Sequence, residues 1–521
     1  MVHDVFSRRV SRRGFLAGLA GTAAAGVGSL GAGHVLPRVF AAAQGQRGGT
    51  LRATLGGEPD TLDPHVGNSL FDEDVAGALF DCLTRTDSAG LLQSALAESW
   101  RSADALAWTF RLRPNARFHD GSPVTADAVR ATVERLADKA TGASGAYTVV
   151  TNQIASLETP DSLTVIFHLT APNAVFPLGM SRIAIVPRSF SVARPVGAGP
   201  FQFVEWVRNR YVRVRRFDGY YRQGLPYLDQ IDFMPTPDEN QKIVLLQTGQ
   251  VDFTDTVPLP RAQEVEKSGK IQVFTITPGV APSAYVMFAN TRVAPLNNLK
   301  VRQAINYAID RRAMLDANFG FGVTKSNPVP PRNWAFDPTA ASYNVRDVAK
   351  AKQLLREAGA AAGFSIELVH ITSRAEFATL AQLFQANMAD VGIKVAITPI
   401  QIGVWVDREV KHQYQLGLTG IVPPVADPDL ILSAYDSDGA TGESTGWQDA
   451  EYHRLLAQAR AVLDQTQRKA LYARCQQILQ EACPVFVINE RPILCGGSSA
   501  VQGFRVNVGQ ITEFQDVWMK P

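Results

Sequence analysis

One short run in the chain matches a catalytic serine pattern. Residues 442–446, GESTG, fit the G-x-S-x-G turn that presents a serine nucleophile for acyl transfer. That turn follows a buried strand and opens a helix, whereas the polar run YDSDGAT precedes Ser444 here. A secreted serine hydrolase using Ser444 is therefore kept only as the alternative to the function argued below.

Three further patterns suggest ion or proton chemistry without its full set of groups. Residues 436–439, DSDG, begin like a calcium loop but lack the later acidic ligands in their proper places. Residues 197–200, GAGP, lose at Pro200 an N–H that a phosphate cradle would use. His119 and Asp120 stand directly before Gly121, which is typical of a turn. These patterns predict loops and no catalytic residue.

The metal-binding residue types are also poorly spaced for a site. No two histidines after residue 43 stand four positions apart, and none of the four cysteines forms a C-x-x-C pair. We expect no metal and no cofactor. Cys483 and Cys495 flank PVFVINERPIL, which is interpreted as two short strands around Asn489. They would form either a disulfide across that hairpin or two buried thiols.

Helices alternate with strands along most of the chain. Residues 106–118 alternate apolar and basic side chains as a half-buried strand does, and residues 125–138 follow with helical spacing. Residues 297–315 predict one amphipathic helix. Residues 347–359, 364–370, 375–392 and 393–400 repeat helix and strand, with glycine at the end of each helix. This order favours α/β lobes.

The first 43 residues have the composition of an export signal. Arg12 and Arg13 precede Phe15 and Leu16, an uncharged Gly/Ala-rich stretch follows, and residues 41–43 are a small-residue cleavage site. The order matches the twin-arginine signal, which implies the twin-arginine translocase as an export partner and a periplasmic location. The alternative is a membrane anchor, but Gly and Ala are weakly apolar. There is no cysteine near Ala43 that would indicate a lipid anchor.

Length and charge bound the remaining classes. The 478 residues after the signal exceed one core, so two or three lobes are expected. The net charge of +2 gives no indication of a nucleic-acid partner. No second apolar run reaches membrane length, and we expect a soluble monomer.

Residues 95–136 closely resemble one family. Their ESW, the WTFRL strand and FHDGSPVTADAV are similar to the signature of the extracellular solute-binding proteins of family 5, receptors of peptide, opine and nickel-chelate ABC importers. Ala128 replaces an aspartate of that signature. Matches in the same order continue at GAGPFQFVEW, PYLDQIDF, LQTGQVDF, VRQAINYAIDR, VGIKVAI and ADPDL. The resemblance spans more than 400 residues, although most of these motifs support the fold and say little about the ligand.

The resemblance implies a two-lobed periplasmic-binding-protein fold of type II, in its large class, with an extra domain inserted in the first lobe. We expect the signal at 1–43, lobe I at 44–65, 187–283 and 493–521, the inserted domain at 66–186, and lobe II at 284–492. Ligand would be enclosed as the lobes close about a hinge and delivered to an inner-membrane ABC permease.

The resemblance also places a ligand loop ahead of Asp427. In dipeptide-binding members an aspartate of this loop holds the peptide amine, and the aligned residue here is Pro424. An ammonium buried there without a carboxylate would be costly. Ile421 and Val422 would instead form an apolar wall. Asp427 is predicted to begin a helix, with a ligand contact as the alternative.

Four more residues are candidates for the ligand cavity. Arg374 lies near the family's carboxylate-binding arginine, and the alternative is a solvated loop residue. Trp405 is either an aromatic cavity residue or part of the core. Asn68 and Phe71 belong to the loop expected at the hinge. The ligand would be a short peptide or amino-acid conjugate, an opine, sugar or other organic acid, or a metal chelate or haem-like compound.

Overall fold

A computed structural model describes residues 45–67, 69–372, 374–423, 425–509 and 512–521. The predicted signal at 1–43 and two candidate residues, Asn68 and Pro424, lie outside them. No helix in these ranges is long and apolar enough to cross a membrane.

The regular elements confirm the α/β class. The strands are β1 (Thr50–Leu55), β2 (Thr84–Thr86), β3 (Leu92–Ser94), β4 (Ala97–Arg101), β5 (Ala107–Leu112), β6 (Ile154–Asp161), β7 (Thr164–Leu169), β8 (Phe201–Val207), β9 (Tyr211–Arg216), β10 (Gln230–Pro235), β11 (Phe253–Thr254), β12 (Ile271–Thr275), β13 (Ala284–Ala289), β14 (Phe364–Ile371), β15 (Ile393–Ile400), β16 (Leu416–Ile421), β17 (Val485–Glu490), β18 (Leu494–Ser498), β19 (Val501–Gln502) and β20 (Trp518–Met519). The α-helices are α1 (Leu70–Leu79), α2 (Ala126–Ala137), α3 (Gly145–Thr151), α4 (Phe176–Gly179), α5 (Glu239–Gln247), α6 (Leu259–Lys267), α7 (Leu299–Ala308), α8 (Arg311–Ala317), α9 (Val348–Glu357), α10 (Ala375–Ala389), α11 (Ile402–Val410), α12 (Pro428–Ser433), α13 (Ala440–Thr445), α14 (Ala450–Ala461) and α15 (Gln465–Ala482).

Two mixed sheets form the two lobes. The first-lobe sheet has seven strands in the order β12-β18-β11-β1-β10-β9-β8, with β1 parallel to both β10 and β11. The second-lobe sheet has five strands in the order β15-β14-β16-β13-β17, with β14 parallel to both neighbours. Each sheet has its own buried core.

The inserted sheet is a separate antiparallel layer in the order β4-β5-β7-β6. On β5, Trp108, Phe110 and Leu112 are buried as their alternation predicts, because successive side chains of a strand face opposite sides. A β-bridge between Cys82 and Ala184 joins the two ends of this segment at its base. The helix α1, placed in the inserted domain by the expected boundary, packs its Val75 and Leu79 in the core of the first-lobe sheet.

The chain crosses between the lobe sheets through two short segments. Residues 276–283 connect β12 to β13, and residues 491–493 connect β17 to β18. The predicted hairpin around Asn489 is therefore wrong: β17 and β18 lie in different sheets. All four cysteines are free, and Cys483 and Cys495 lie in the cores of different lobes, as the thiol alternative required.

The helix predicted over residues 297–315 is interrupted. Ile309 is extended, and the Asp310 side chain accepts a hydrogen bond from the Ala313 N–H to begin α8. An aspartate satisfies the free N–H groups at a helix start, so a second helix begins here. The apolar stripe continues across the break, since Ile305, Ile309 and Met314 are all buried.

Candidate functional site

A cavity of about 140 Å³ lies where the lobes and the inserted segment meet. Its walls include Glu73 from α1, Tyr147 and Arg182 from the inserted segment, and Glu513 from the C-terminal segment. Val425, in the loop after β16, supplies a wall from the second lobe. The cavity is therefore bounded by parts of the chain that belong to both lobes.

Several charged groups of this cavity are paired with one another. Glu73 Oε1 lies 3.4 Å from Arg182 Nη2 and accepts a hydrogen bond from the Tyr147 hydroxyl at 3.4 Å. Arg85 Nη1 lies 3.8 Å from Glu513 Oε2. Burial raises the pKa of Glu513, and Arg85 opposes that shift. Such paired charges can exchange one partner for a polar ligand group, which suits a binding cavity.

A third carboxylate of the cavity, Asp81, lies behind two phenols. It accepts hydrogen bonds from Tyr221 at 2.8 Å and Tyr220 at 3.1 Å, and from the Cys82 N–H at 3.1 Å. Burial raises the pKa of Asp81. Glu73, Glu513 and this carboxylate are the acidic groups that a ligand amine could meet in the cavity, and no local sequence pattern indicated any of them.

The predicted ligand loop runs from the end of β16 to α12. Ile421 pairs with Ala284 at the end of β16, and Ile421 and Val422 are half-buried. Ala426 accepts a hydrogen bond from the Asn333 side chain at 2.6 Å. Ala426 also packs against Gly90, since a Cβ added at Gly90 would lie 2.7 Å from the Cβ of Ala426. The loop is thus held against residues before the inserted sheet.

Asp427 begins α12, as the sequence predicts. Its side chain accepts a hydrogen bond from the Asp429 N–H at 2.8 Å, and Arg468 Nη2 lies 3.4 Å from it. Burial raises the pKa of Asp427 to about 6, against the lowering effect of Arg468. Both carboxylate contacts are internal, which favours the structural role over a ligand contact.

Arg374 lies at the start of α10 beside a tyrosine–glutamate pair. Its Nη1 is 3.8 Å from Glu376 Oε1, which accepts a hydrogen bond from the Tyr285 hydroxyl at 3.4 Å. Its side chain is 41% exposed. Arg374 is neither buried in the core nor fully solvated, and its long ion pair leaves the guanidinium accessible to an anion.

A second guanidinium, that of Arg491, joins Arg374 and was missed by the sequence argument. Arg491 lies between β17 and β18, and both arginines lower the pKa of Tyr285, which burial raises. Local sequence placed Arg491 in a hairpin turn, where an arginine is ordinary. Only the separation of β17 and β18 into two sheets moves it to the hinge.

Trp405 and Phe71 are held by packing. Trp405 is 3% exposed in the second-lobe core, meets Tyr414 edge-to-face at 5.1 Å, and covers Gly417 so closely that a Cβ there would overlap its ring. This favours the core role over the cavity role. The half-buried Phe71 ring lies against Gly56 and Gly57 after β1.

Ser444 does not have the surroundings of a nucleophile. It lies in α13, and its hydroxyl bonds Glu409 Oε1 at 2.7 Å and the Ala440 carbonyl at 2.8 Å. No histidine hydrogen-bonds Ser444 among the residues with described positions. The base of a catalytic triad is therefore missing from its contacts there.

Three residues that could bind a metal ion, two from the turn at 436–439 and one from α14, lie close together. Ligand atoms of Asp436, Asp438 and His453 lie within 4.8 Å of one another. Asp436 Oδ2 is 2.8 Å from His453 Nδ1, so an ordinary acid–histidine pair accounts for this contact. The turn lies outside the cavity described above.

Comparison with known proteins places the chain in a family. The model of the bacterial extracellular solute-binding proteins, family 5, matches residues 92–443, and the chain belongs to that family. The glutathione-binding protein GsiB of Pectobacterium atrosepticum is 29% identical over 491 residues, covering 88% of this chain and 91% of that protein.

Two solved structures share the fold over almost their whole length. The AgaA protein of A. tumefaciens R10, in complex with agropinic acid, is 30% identical with a TM-score of 0.75, covering 91% of this chain and 99% of AgaA. Helicobacter pylori DppA, in complex with the peptide STSA, is 25% identical with a TM-score of 0.76, with the same coverage of 91% and 99%. The two-lobed fold is thereby confirmed.

Proposed function

We propose that this protein is the periplasmic receptor of an ABC importer. Its twin-arginine signal directs a folded monomer across the inner membrane, and the receptor then delivers its ligand to the importer's permease. The observation that carries the proposal is the cavity bounded by Val425 of the second lobe together with Glu73 and Arg182 of the opposite wall. A ligand held there is contacted from both sides only when the lobes are together.

The proposed motion is a hinge closure about residues 276–283 and 491–493. Away from these crossings, the inserted segment touches the second lobe, since the Ala174 N–H donates to the Arg460 carbonyl at 2.6 Å. The contact of Gly90 with Ala426 is a second such closure point. Both contacts would break on opening. The proposed lobe boundaries are those given above, except that the inserted segment begins after Leu79. The reason is that α1 belongs to the first-lobe core.

We propose a short peptide or peptide-like acid as the ligand. One relative is named for glutathione, and two solved relatives are in complex with the peptide STSA and with agropinic acid; all three ligands carry carboxylates. Arg374 is the proposed partner of such a carboxylate. Ile421, Val422 and Pro424 are proposed to offer apolar contacts, and Asn68 and Phe71 are further proposed ligand contacts. An amine would have to reach Glu73, Asp81 or Glu513 to be compensated.

Calorimetry on the mature protein, freed of co-purified ligand by partial unfolding, tests this function. Glutathione, the tetrapeptide STSA and the dipeptide Ala-Ala are the probes, and we expect binding of glutathione or STSA and a smaller radius of gyration in their presence. The variant Arg182→Gln should lower the affinity for the probe that binds. The variant Arg188→Gln, which replaces an exposed arginine outside the cavity, should leave that affinity unchanged. Absence of binding by both tripeptide and tetrapeptide would contradict a peptide receptor.

A further inference from the structure

Arg491 is tied by its backbone to both crossings between the lobes. It stands on the second crossing, and its carbonyl accepts a hydrogen bond from Ser283 Oγ, on the first crossing, at 2.7 Å. Its N–H donates back to the Ser283 carbonyl at 3.3 Å. The residue is therefore fixed at the point about which the lobes move.

The Arg491 side chain extends across β16 at the start of the ligand loop. A Cβ added at Gly420 would lie 3.1 Å from Arg491 Cδ and 3.6 Å from Nη1. Because glycine has no side chain, the arginine can occupy this space. The guanidinium is also within electrostatic reach of Glu239, the first residue of α5 in the first lobe. It lies between the lobes and at the base of the loop.

This guanidinium has no counter-ion of its own. Across the described ranges of the chain, Arg491 makes no ion pair within 4.0 Å, and no side-chain hydrogen bond of its guanidinium is found. Arg374 stands close enough to repel it, Glu376 is shared with Arg374 and Tyr285, and Glu239 attracts it without forming an ion pair. The pKa of Arg491 is lowered, first by burial and then by Arg374.

Arg374 and Arg491 place two positive charges in a partly desolvated region. Glu376 is shared with Arg374 and Tyr285, and Glu239 forms no ion pair with Arg491, so the positive charge of Arg491 lacks a partner in direct contact. Such a charge is stabilised when an anion enters, and an arginine fork matches a carboxylate through two parallel hydrogen bonds. We propose that Arg491, assisted by Arg374, binds a carboxylate of the ligand at the hinge. This assignment rests on the proposed function and names the chemical group that the receptor selects.

The test compares an acid with its amide. The probes are STSA with a free carboxylate, STSA with a C-terminal amide, and glutathione, each titrated by calorimetry into the wild type and into Arg491→Gln and Arg491→Lys. The control is Arg332→Gln, which removes an exposed guanidinium near the first crossing and keeps the backbone N–H that donates to the Gly279 carbonyl on that crossing. Thermal unfolding of every variant checks that the fold is kept.

We expect the wild type to prefer acid to amide at least tenfold, and Arg491→Gln to lose about 30-fold or more for the acid and little for the amide. Arg491→Lys should recover part of the loss, and Arg332→Gln should match the wild type. If Arg491→Gln still discriminates acid from amide as the wild type does, the Arg491 assignment is overturned and the receptor function stands. If the wild type binds none of the probes, the proposed function fails and the assignment falls with it.

Discussion

Ser283 and Arg491 bond each other in both directions, one residue from each crossing between the lobes, with Ser283 Oγ 2.7 Å from the Arg491 carbonyl. Ser283 is fully buried. Because no water can replace the buried hydroxyl as a donor, this hydrogen bond couples the two crossings to each other.

The Ser283→Ala substitution should weaken the coupling of the two crossings without preventing folding. The free energy of unfolding is expected to fall by about 1–2 kcal/mol, since the Arg491 carbonyl loses its buried donor. Denaturant unfolding measures the change, and the exposed Ser342→Ala is the matched control. Equal unfolding free energies of the two variants would mean that the bond contributes nothing to the hinge.

Trp405→Ala separates the packing role from the ligand role. Removal of this buried indole should cost about 3–5 kcal/mol of stability, because a large cavity opens beside Tyr414 and Gly417. Among molecules that remain folded, affinity for a bound probe should equal that of the wild type. A loss of affinity larger than tenfold at a temperature where the variant is folded would return Trp405 to the ligand cavity.

Asp74 predicts a decline of stability with rising pH. Burial raises the pKa of this carboxyl to about 7, while its hydrogen bond from the Thr512 N–H at 2.7 Å opposes the shift. The folded state then binds more protons than the unfolded state between about pH 4 and 7, so stability falls as pH rises through that window, by at most about 1.4 kcal/mol per pH unit.

The variant Asp74→Asn keeps the acceptor oxygen for Thr512 and removes the titration. Its unfolding free energy, measured by denaturant melts from pH 4 to 8, should depend less on pH than that of the wild type and exceed it at pH 8. Parallel pH profiles of the two proteins would show that Asp74 is ionised throughout.

The proposed twin-arginine signal predicts a dependence of export on the arginine pair itself. The double variant Arg12→Lys with Arg13→Lys should accumulate as full-length precursor in the cytoplasm, because the pair is read by a receptor and charge alone is not sufficient. Cell fractionation followed by immunoblotting measures the processed share. Normal processing of the lysine variant would indicate another export route.

Much of the architecture could be predicted from local patterns. Alternation on β5 gives a half-buried strand because one face of that strand packs on a core, and Gly359 at φ 73° ends α9 where a left-handed residue is needed. The family signature covers β5, and the further family matches along the chain carried the expectation of fold and class.

The guanidinium pair could not be predicted in the same way. Residues 485–498 look like a hairpin because both strands are apolar and a short polar run separates them, and nothing local states that each strand pairs with a different sheet. Arg491 acquires its place only from that long-range pairing. Trp405 was ambiguous for the opposite reason, since a large aromatic side chain fits a core and a cavity equally well.

The bridge between Cys82 and Ala184 has an evolutionary consequence. About a hundred residues leave and re-enter the first lobe at adjacent points, so this segment can lengthen, shrink or be exchanged without disturbing either crossing. Tyr147 and Arg182 lie on it, whereas Ser283 and Arg491 do not. Part of the cavity lining is thus encoded apart from the two crossings, and descendants can alter that part while inheriting the crossings and the arginines beside them intact.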